Sequence, residues 1–127
     1  MDLEYYYKLG DGDPKEAIVN AIRARDWEAF KTLLSVQESI NVTDDTILEW
    51  SLLMWVVHEE SMEMVKLLVE AGADVNYRAI DSEEFALSEA IYCENQNIFN
   101  YLEPLTSPEL QAIARQIRKR RKRYYRS

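Results

Sequence analysis

A chain of 127 residues, 47% apolar and 30% charged, has the length and composition of one soluble globular domain and excludes a disordered or fibrous protein. Its net charge of −8 divides unevenly: residues 1–114 hold all 23 acidic residues and seven of the 15 basic ones, a balance of −16, whereas 115–127 carry +8. No apolar run reaches the roughly 18 residues that span a bilayer. Met1-Asp2-Leu3-Glu4 lacks a signal peptide's basic flank and apolar segment, and the single Cys93 excludes an intrachain disulfide, so a reducing cytoplasm is the expected location.

In chain order, residues 1–13 come first, with Leu3, Tyr5, Tyr6, Tyr7 and Leu9 available to pack over the first helical unit. Asp11-Gly12-Asp13 has the acidic look of a calcium loop but lacks the downstream ligands, and it reads as a turn and helix cap. Residues 14–43 form that first unit: Asp13 caps, Pro14 suits the first helical position, and Glu16 fits a capping box. Apolar residues at three- and four-residue spacing then mark two short helices, through Ile18, Ala21 and Ile22, and through Trp27, Phe30, Leu33 and Leu34. A second unit, 44–77, repeats this with Leu52, Leu53, Val56 and Val57, then Met64, Val65, Leu67 and Leu68, and closes at Gly72, where a left-handed residue ends a helix. The third, 78–105, has Phe85, Leu87, Ala90 and Ile91, then Ile98, Tyr101 and Leu102, with Pro104 as a stop.

A shift of 35 and then 34 residues superposes the units, laying Ile18 on Leu53 on Leu87, and Ala21 on Val56 on Ala90. One helix pair cannot bury its apolar side alone, so the units are expected to stack. Residues 106–127 add a last helix, begun by Ser107 and Pro108, whose stripe Leu110, Ile113, Ala114 and Ile117 suits it to cover the end of the stack.

The segment Met64-Val65-Lys66-Leu67-Leu68-Val69-Glu70-Ala71-Gly72-Ala73-Asp74-Val75-Asn76 resembles the end of an ankyrin repeat. The resemblance covers roughly residues 14–105, with departures: Ser51-Leu52-Leu53-Met54 and Phe85-Ala86-Leu87-Ser88 stand where the family has Thr-Pro-Leu-His, and Glu60 and Glu94 replace the glycine between paired helices. It implies an all-α fold, a short ankyrin-like solenoid of about three helix-pair repeats with a C-terminal capping helix.

Nothing in the spacing supplies catalytic chemistry. His58 is the only histidine, with no Cys cluster or nucleophile at a recognisable distance, and reads as a surface residue at a helix end. The carboxylates Glu59, Glu60 and Glu63, and Asp81, Glu83 and Glu84, read as solvated faces, and the three glycines form no phosphate loop. No cofactor, metal or catalytic residue is expected; an enzyme would need a closed polar pocket, with His58 and Glu63 as its starting point.

In ankyrin-like stacks the hairpin tips and the exposed side of the first helices form a concave binding face. By position, that resemblance implies partner contacts at Ile47, Leu48, Trp50, His58, Glu59, Arg78, Asp81, Ser82, Glu84, Tyr92 and Cys93. The expected function is a non-enzymatic protein-interaction module, an adaptor or an inhibitor of the immunity type, whose acidic concave face holds a partner with a basic patch. The alternative is a nucleic-acid-associated protein. In that reading the tail Arg118-Lys119-Arg120-Arg121-Lys122-Arg123-Tyr124-Tyr125-Arg126 binds phosphates, with Tyr124 or Tyr125 stacking on bases. Contact of the tail with protein, its own body or a partner's acidic patch, ranks ahead of nucleic acid, because the −16 body repels phosphates.

Overall fold

The computed structural model describes residues 3–37, 39–41, 43, 49–80 and 82–125, the side chains of 122–125 excepted. Within them the chain forms eight α-helices: α1 (Leu3–Leu9), α2 (Pro14–Arg23), α3 (Trp27–Ser35), α4 (Leu52–His58), α5 (Met62–Glu70), α6 (Ala86–Tyr92), α7 (Gln96–Leu102) and α8 (Pro108–Tyr125). Among the described residues no strand forms; one antiparallel bridge, Thr43 to Ser51, leads into α4. The all-α repeat architecture expected from the periodicity is the one the chain adopts.

The helix pairs share one turn. Each first helix ends on a residue in the left-handed region, Arg25 (φ 57°), Glu60 (φ 58°) and Glu94 (φ 55°). The next amide then reaches back five residues, Asp26 to Ala21, Ser61 to Val56 and Asn95 to Ala90, at 3.0–3.3 Å. This is the Schellman closure of a helix C-terminus. Asp26, Ser61 and Asn95 serve again as N-caps, their side chains accepting from the N–H of Ala29, Met64 and Ile98. Gly72, at φ 100°, closes α5 with the same bonds.

Glycine is the residue best suited to that conformation, and only α5 has one there. Glu60→Gly is therefore expected to stabilise the protein by about 0.5–1 kcal/mol, the left-handed penalty outweighing glycine's greater loss of chain freedom. Its side chain gives up only an exposed bond from Asn95. Equilibrium urea unfolding reads the gain, and Glu60→Ala should show none.

The first helices form an inner row, with α4 packed between α2 and α6, while α3, α5 and α7 lie behind them. The core runs unbroken through all three pairs: Ile18, Ile22, Phe30 and Leu33, then Leu52, Leu53, Met64 and Leu68, then Phe85, Leu87 and Ile98 are fully buried. Each such side chain contributes about 1.5–3 kcal/mol of burial. The ends are covered. At one, α1 lies on α2, with Tyr6 buried and its hydroxyl donating to Asp26 at 3.0 Å. At the other, α8 lies on α6 and buries Leu110 and Ala114.

Between units, equivalent asparagines tie the loops: Asn41 Oδ1 accepts from the Asp74 amide at 2.7 Å, and Asn76 Oδ1 from the Ser107 amide at 2.8 Å. Before α6 the Ala79 N–H donates to the Glu84 carbonyl at 2.8 Å and the Glu83 N–H to the Ala79 carbonyl at 2.9 Å. At the start of α6 Ser88 donates to the Phe85 carbonyl and accepts from the Phe85 amide. A hydroxyl thereby satisfies both backbone groups at a buried helix start that has no other side-chain cap.

Candidate functional site

Stacking at a regular shift puts equivalent residues side by side. The C-terminal ends of the inner helices thus align Arg23, His58 and Tyr92, and just beyond them Ala24, Glu59 and Cys93. Arg23, His58 and Tyr92 all face solvent, Tyr92 at 43% exposure. Arg23 and His58 stand at an open hollow lined also by Trp50, Trp55 and Glu59.

The floor of the hollow is aromatic. Trp50 and Trp55 lie 4.9 Å apart between ring centroids, and His58 packs edge-on to both at 5.5 and 6.0 Å. The Arg23 guanidinium sits 5.7 Å over Trp55, a contact worth about 0.5–1 kcal/mol at a wet surface. Trp50, expected on the binding face, is only 6% exposed, and its Nε1–H donates to Glu84 at 2.9 Å. A side chain so packed contributes to the floor of the hollow and little exposed surface. Glu84 is correspondingly held inside the face, accepting from Trp50 and from Ser82.

Beside the hollow lies a group that the spacing did not reveal. Glu89, on the inner face of α6, is 4% exposed, and its Oε1 meets His58 Nδ1 at 2.8 Å and Cys93 Sγ at 3.6 Å. Burial pushes the Glu89 carboxyl up, opposed by the hydrogen bond and charge of His58. Burial and the neighbouring Glu89 push the Cys93 thiol up to about 12, so it stays protonated at neutral pH, the form that does not act as a nucleophile. Glu63, the other carboxylate weighed beside His58, is exposed, and His58 turns to Glu89 instead.

Of the other expected contacts, Arg78 is half-buried, its Nε–H donating to the Glu83 carbonyl at 3.2 Å and its guanidinium 5.8 Å over Phe85. Ser82 is exposed, and Glu59 and Cys93 are half-buried. Ile47, Leu48 and Asp81 lie outside the described residues, as do Arg126 and the side chains of Lys122, Arg123, Tyr124 and Tyr125. Arg23 and Glu89 are part of the site although sequence reasoning passed over both. The shifts of 35 and 34 that lay Arg23 on His58 on Tyr92 were the available signal for Arg23, and Glu89 had none.

Two arginines at the start of the basic helix end pack on the stack. Arg118 lies 4.0 Å over Phe99 and donates to Gln96, while Arg121 lies 5.2 Å over Tyr92 and 3.5 Å from Glu94. Spaced three apart on α8, these two arginines share one face, and Lys119 and Arg120 are exposed. Truncation after Ile117 is expected to cost about 1–2 kcal/mol, the sum of two cation–aromatic contacts, and to leave the helical circular-dichroism signal per residue nearly unchanged. Thermal melting of the two chains measures it.

No described helix is long and apolar enough to cross a membrane. A search of curated proteins finds no match. A family model for ankyrin repeats, in three copies, matches residues 18–110, the span of the three stacked helix pairs and the start of α8. With that match over most of its length and the helix pairs in the matching register, the chain belongs to the ankyrin-repeat family.

Proposed function

We propose that this chain is a non-enzymatic adaptor or inhibitor that holds a protein partner with a basic patch against the acidic side of its inner helix row. Ankyrin repeats are protein–protein interaction modules, and the open question is which surface this one uses. The carrying observation is the alignment of exposed helix ends, Arg23, His58 and Tyr92, beside a floor of packed tryptophans. Such a surface is broad and shallow, with an exposed aromatic at Tyr92, the carboxylates Glu59 and Glu60 just past the end of α4, and Glu84 against Trp50. Interface centres favour aromatic residues, with charge at the rim to steer the encounter.

The engagement of Arg118 and Arg121 with Phe99, Tyr92 and Glu94 supports a tail that partly neutralises its own body, and with it a protein partner over a nucleic acid. An inhibitor that masks a basic partner, as immunity proteins do, fits the acidic body. The cytoplasm fits the unpaired Cys93.

Glu59→Lys is expected to weaken partner capture about tenfold, and Tyr92→Ala about as much, by loss of steering charge in one case and an anchor in the other. Both residues reach the surface, so the circular-dichroism spectrum should not change. Wild-type affinity should also fall as salt is raised through the physiological range. Undiminished binding by both variants would place the interface elsewhere on the molecule.

A further inference from the structure

We propose that His58, Glu89 and Cys93 form a binding site for a zinc ion at the junction of the second and third repeats. His58 comes from the C-terminal end of α4, while Glu89 lies on α6 and Cys93 just past its end, four apart, the spacing that sets two side chains on one helix face. Their donor atoms, an imidazole nitrogen, a carboxylate oxygen and a sulfur, all lie within 4.8 Å of one another. Around a tetrahedral zinc with bonds of about 2.0–2.3 Å, an oxygen, a nitrogen and a sulfur sit about 3.3–3.5 Å from one another. The pairs His58–Glu89 at 2.8 Å and Glu89–Cys93 at 3.6 Å bracket the required separation.

The existing contacts favour a site over chance crowding. Glu89 is a carboxylate on a nearly closed helix face, and the side chains that Oε1 meets are the other two donors. The His58 side chain, 47% exposed, is the one able to swing by the small amount that metal entry requires. Mixed nitrogen, oxygen and sulfur donors suit zinc and exclude magnesium and calcium, which take oxygen alone. Three protein ligands leave a fourth position for water or a partner's side chain.

On binding, the Cys93 S–H bond breaks, its proton passes to buffer and a Zn–S bond forms. His58 coordinates through Nδ1 with its proton on Nε2. No electrons are transferred. The ion would pin α4 to α6 at the rim of the proposed binding face, and the site does not depend on that face being the one used.

Titration of the untagged full chain with cobalt as a spectroscopic stand-in tests the site, followed by displacement with zinc. Expected are one equivalent bound, a near-ultraviolet thiolate-to-cobalt band with intense visible bands of a tetrahedral centre, and loss of both on adding zinc. Cys93→Ser should abolish the near-ultraviolet band, and His58→Gln should weaken zinc binding at least about tenfold. Both positions are at the rim, and metal-free melting curves verify that the variants fold. Absence of the thiolate band, or zinc affinity equal in wild type and both variants, would overturn the assignment.

Discussion

Leu53→Ala is expected to lower the free energy of unfolding by about 2–5 kcal/mol, near the upper end of that range. The side chain is 1% exposed on α4, the helix held between α2 and α6. A cavity there cannot close easily, because both neighbouring helices are fixed by their own partners in α3 and α7. A domain of this size is stable by about 5–15 kcal/mol, so one isobutyl group in the middle of the row accounts for a large share. The core is continuous across the three pairs. Circular dichroism and tryptophan fluorescence should therefore report the same denaturant midpoint, for the variant as for the wild type. A loss below about 1 kcal/mol would mean that α4 is not the centre of the stack.

Trp50→Ala is the second large effect expected, about 3–5 kcal/mol for removing a buried aromatic. Two losses combine there. The ring packs on Trp55 and His58, and its Nε1–H is a donor to the half-buried Glu84 carboxylate. Trp50→Phe keeps an aromatic in the space and removes the donor, while Glu84 still accepts from Ser82, so its cost should be nearer about 1.5–3 kcal/mol, the net worth of a hydrogen bond to a charged group. Denaturant melts of the two variants separate packing from hydrogen bonding. The same pair of variants distinguishes a Trp50 that shapes the face from one that touches the partner. Capture should fall with Trp50→Ala and survive Trp50→Phe, provided binding is measured well below the melting temperature.

Much of the fold is legible because burial repeats at a fixed interval. Ile18, Leu53 and Leu87 have the same apolar role 35 and 34 residues apart, and all three are fully buried or within 1% of it. The second-helix caps Asp26, Ser61 and Asn95 follow the same interval, and all three belong to the residue types that cap helices. The turns before them are less legible. Arg25, Glu60 and Glu94 adopt a conformation that glycine would announce, and here the surrounding closure bonds impose it on residues with no such preference.

Site residues are harder to read than core ones, since they depend on which side of a helix meets which neighbour. His58 and Glu89 are 31 residues apart and touch because α4 and α6 are packed side by side. Nothing in the local sequence of either marks the other. The same holds for Arg118 over Phe99 and Arg121 over Tyr92. A run of basic residues reads as a solvated or phosphate-binding strip until the packing of α8 on α6 shows that one of its faces is turned inward. The apolar stripe through Ile117 predicted the helix's cover of the stack and was silent on the turn beyond it.

A chain that works by holding another protein on the acidic side of its inner helices should bring that protein with it out of a native lysate. Affinity purification of the untruncated chain after nuclease treatment, run in parallel with Glu59→Lys and quantified by mass spectrometry, tests this without intermediary. The expected result is a protein carrying a basic patch, recovered near equal stoichiometry with the wild type, depleted about tenfold with the variant and released by added salt. Recovery of no protein partner, or of one that the variant holds equally well, would contradict it.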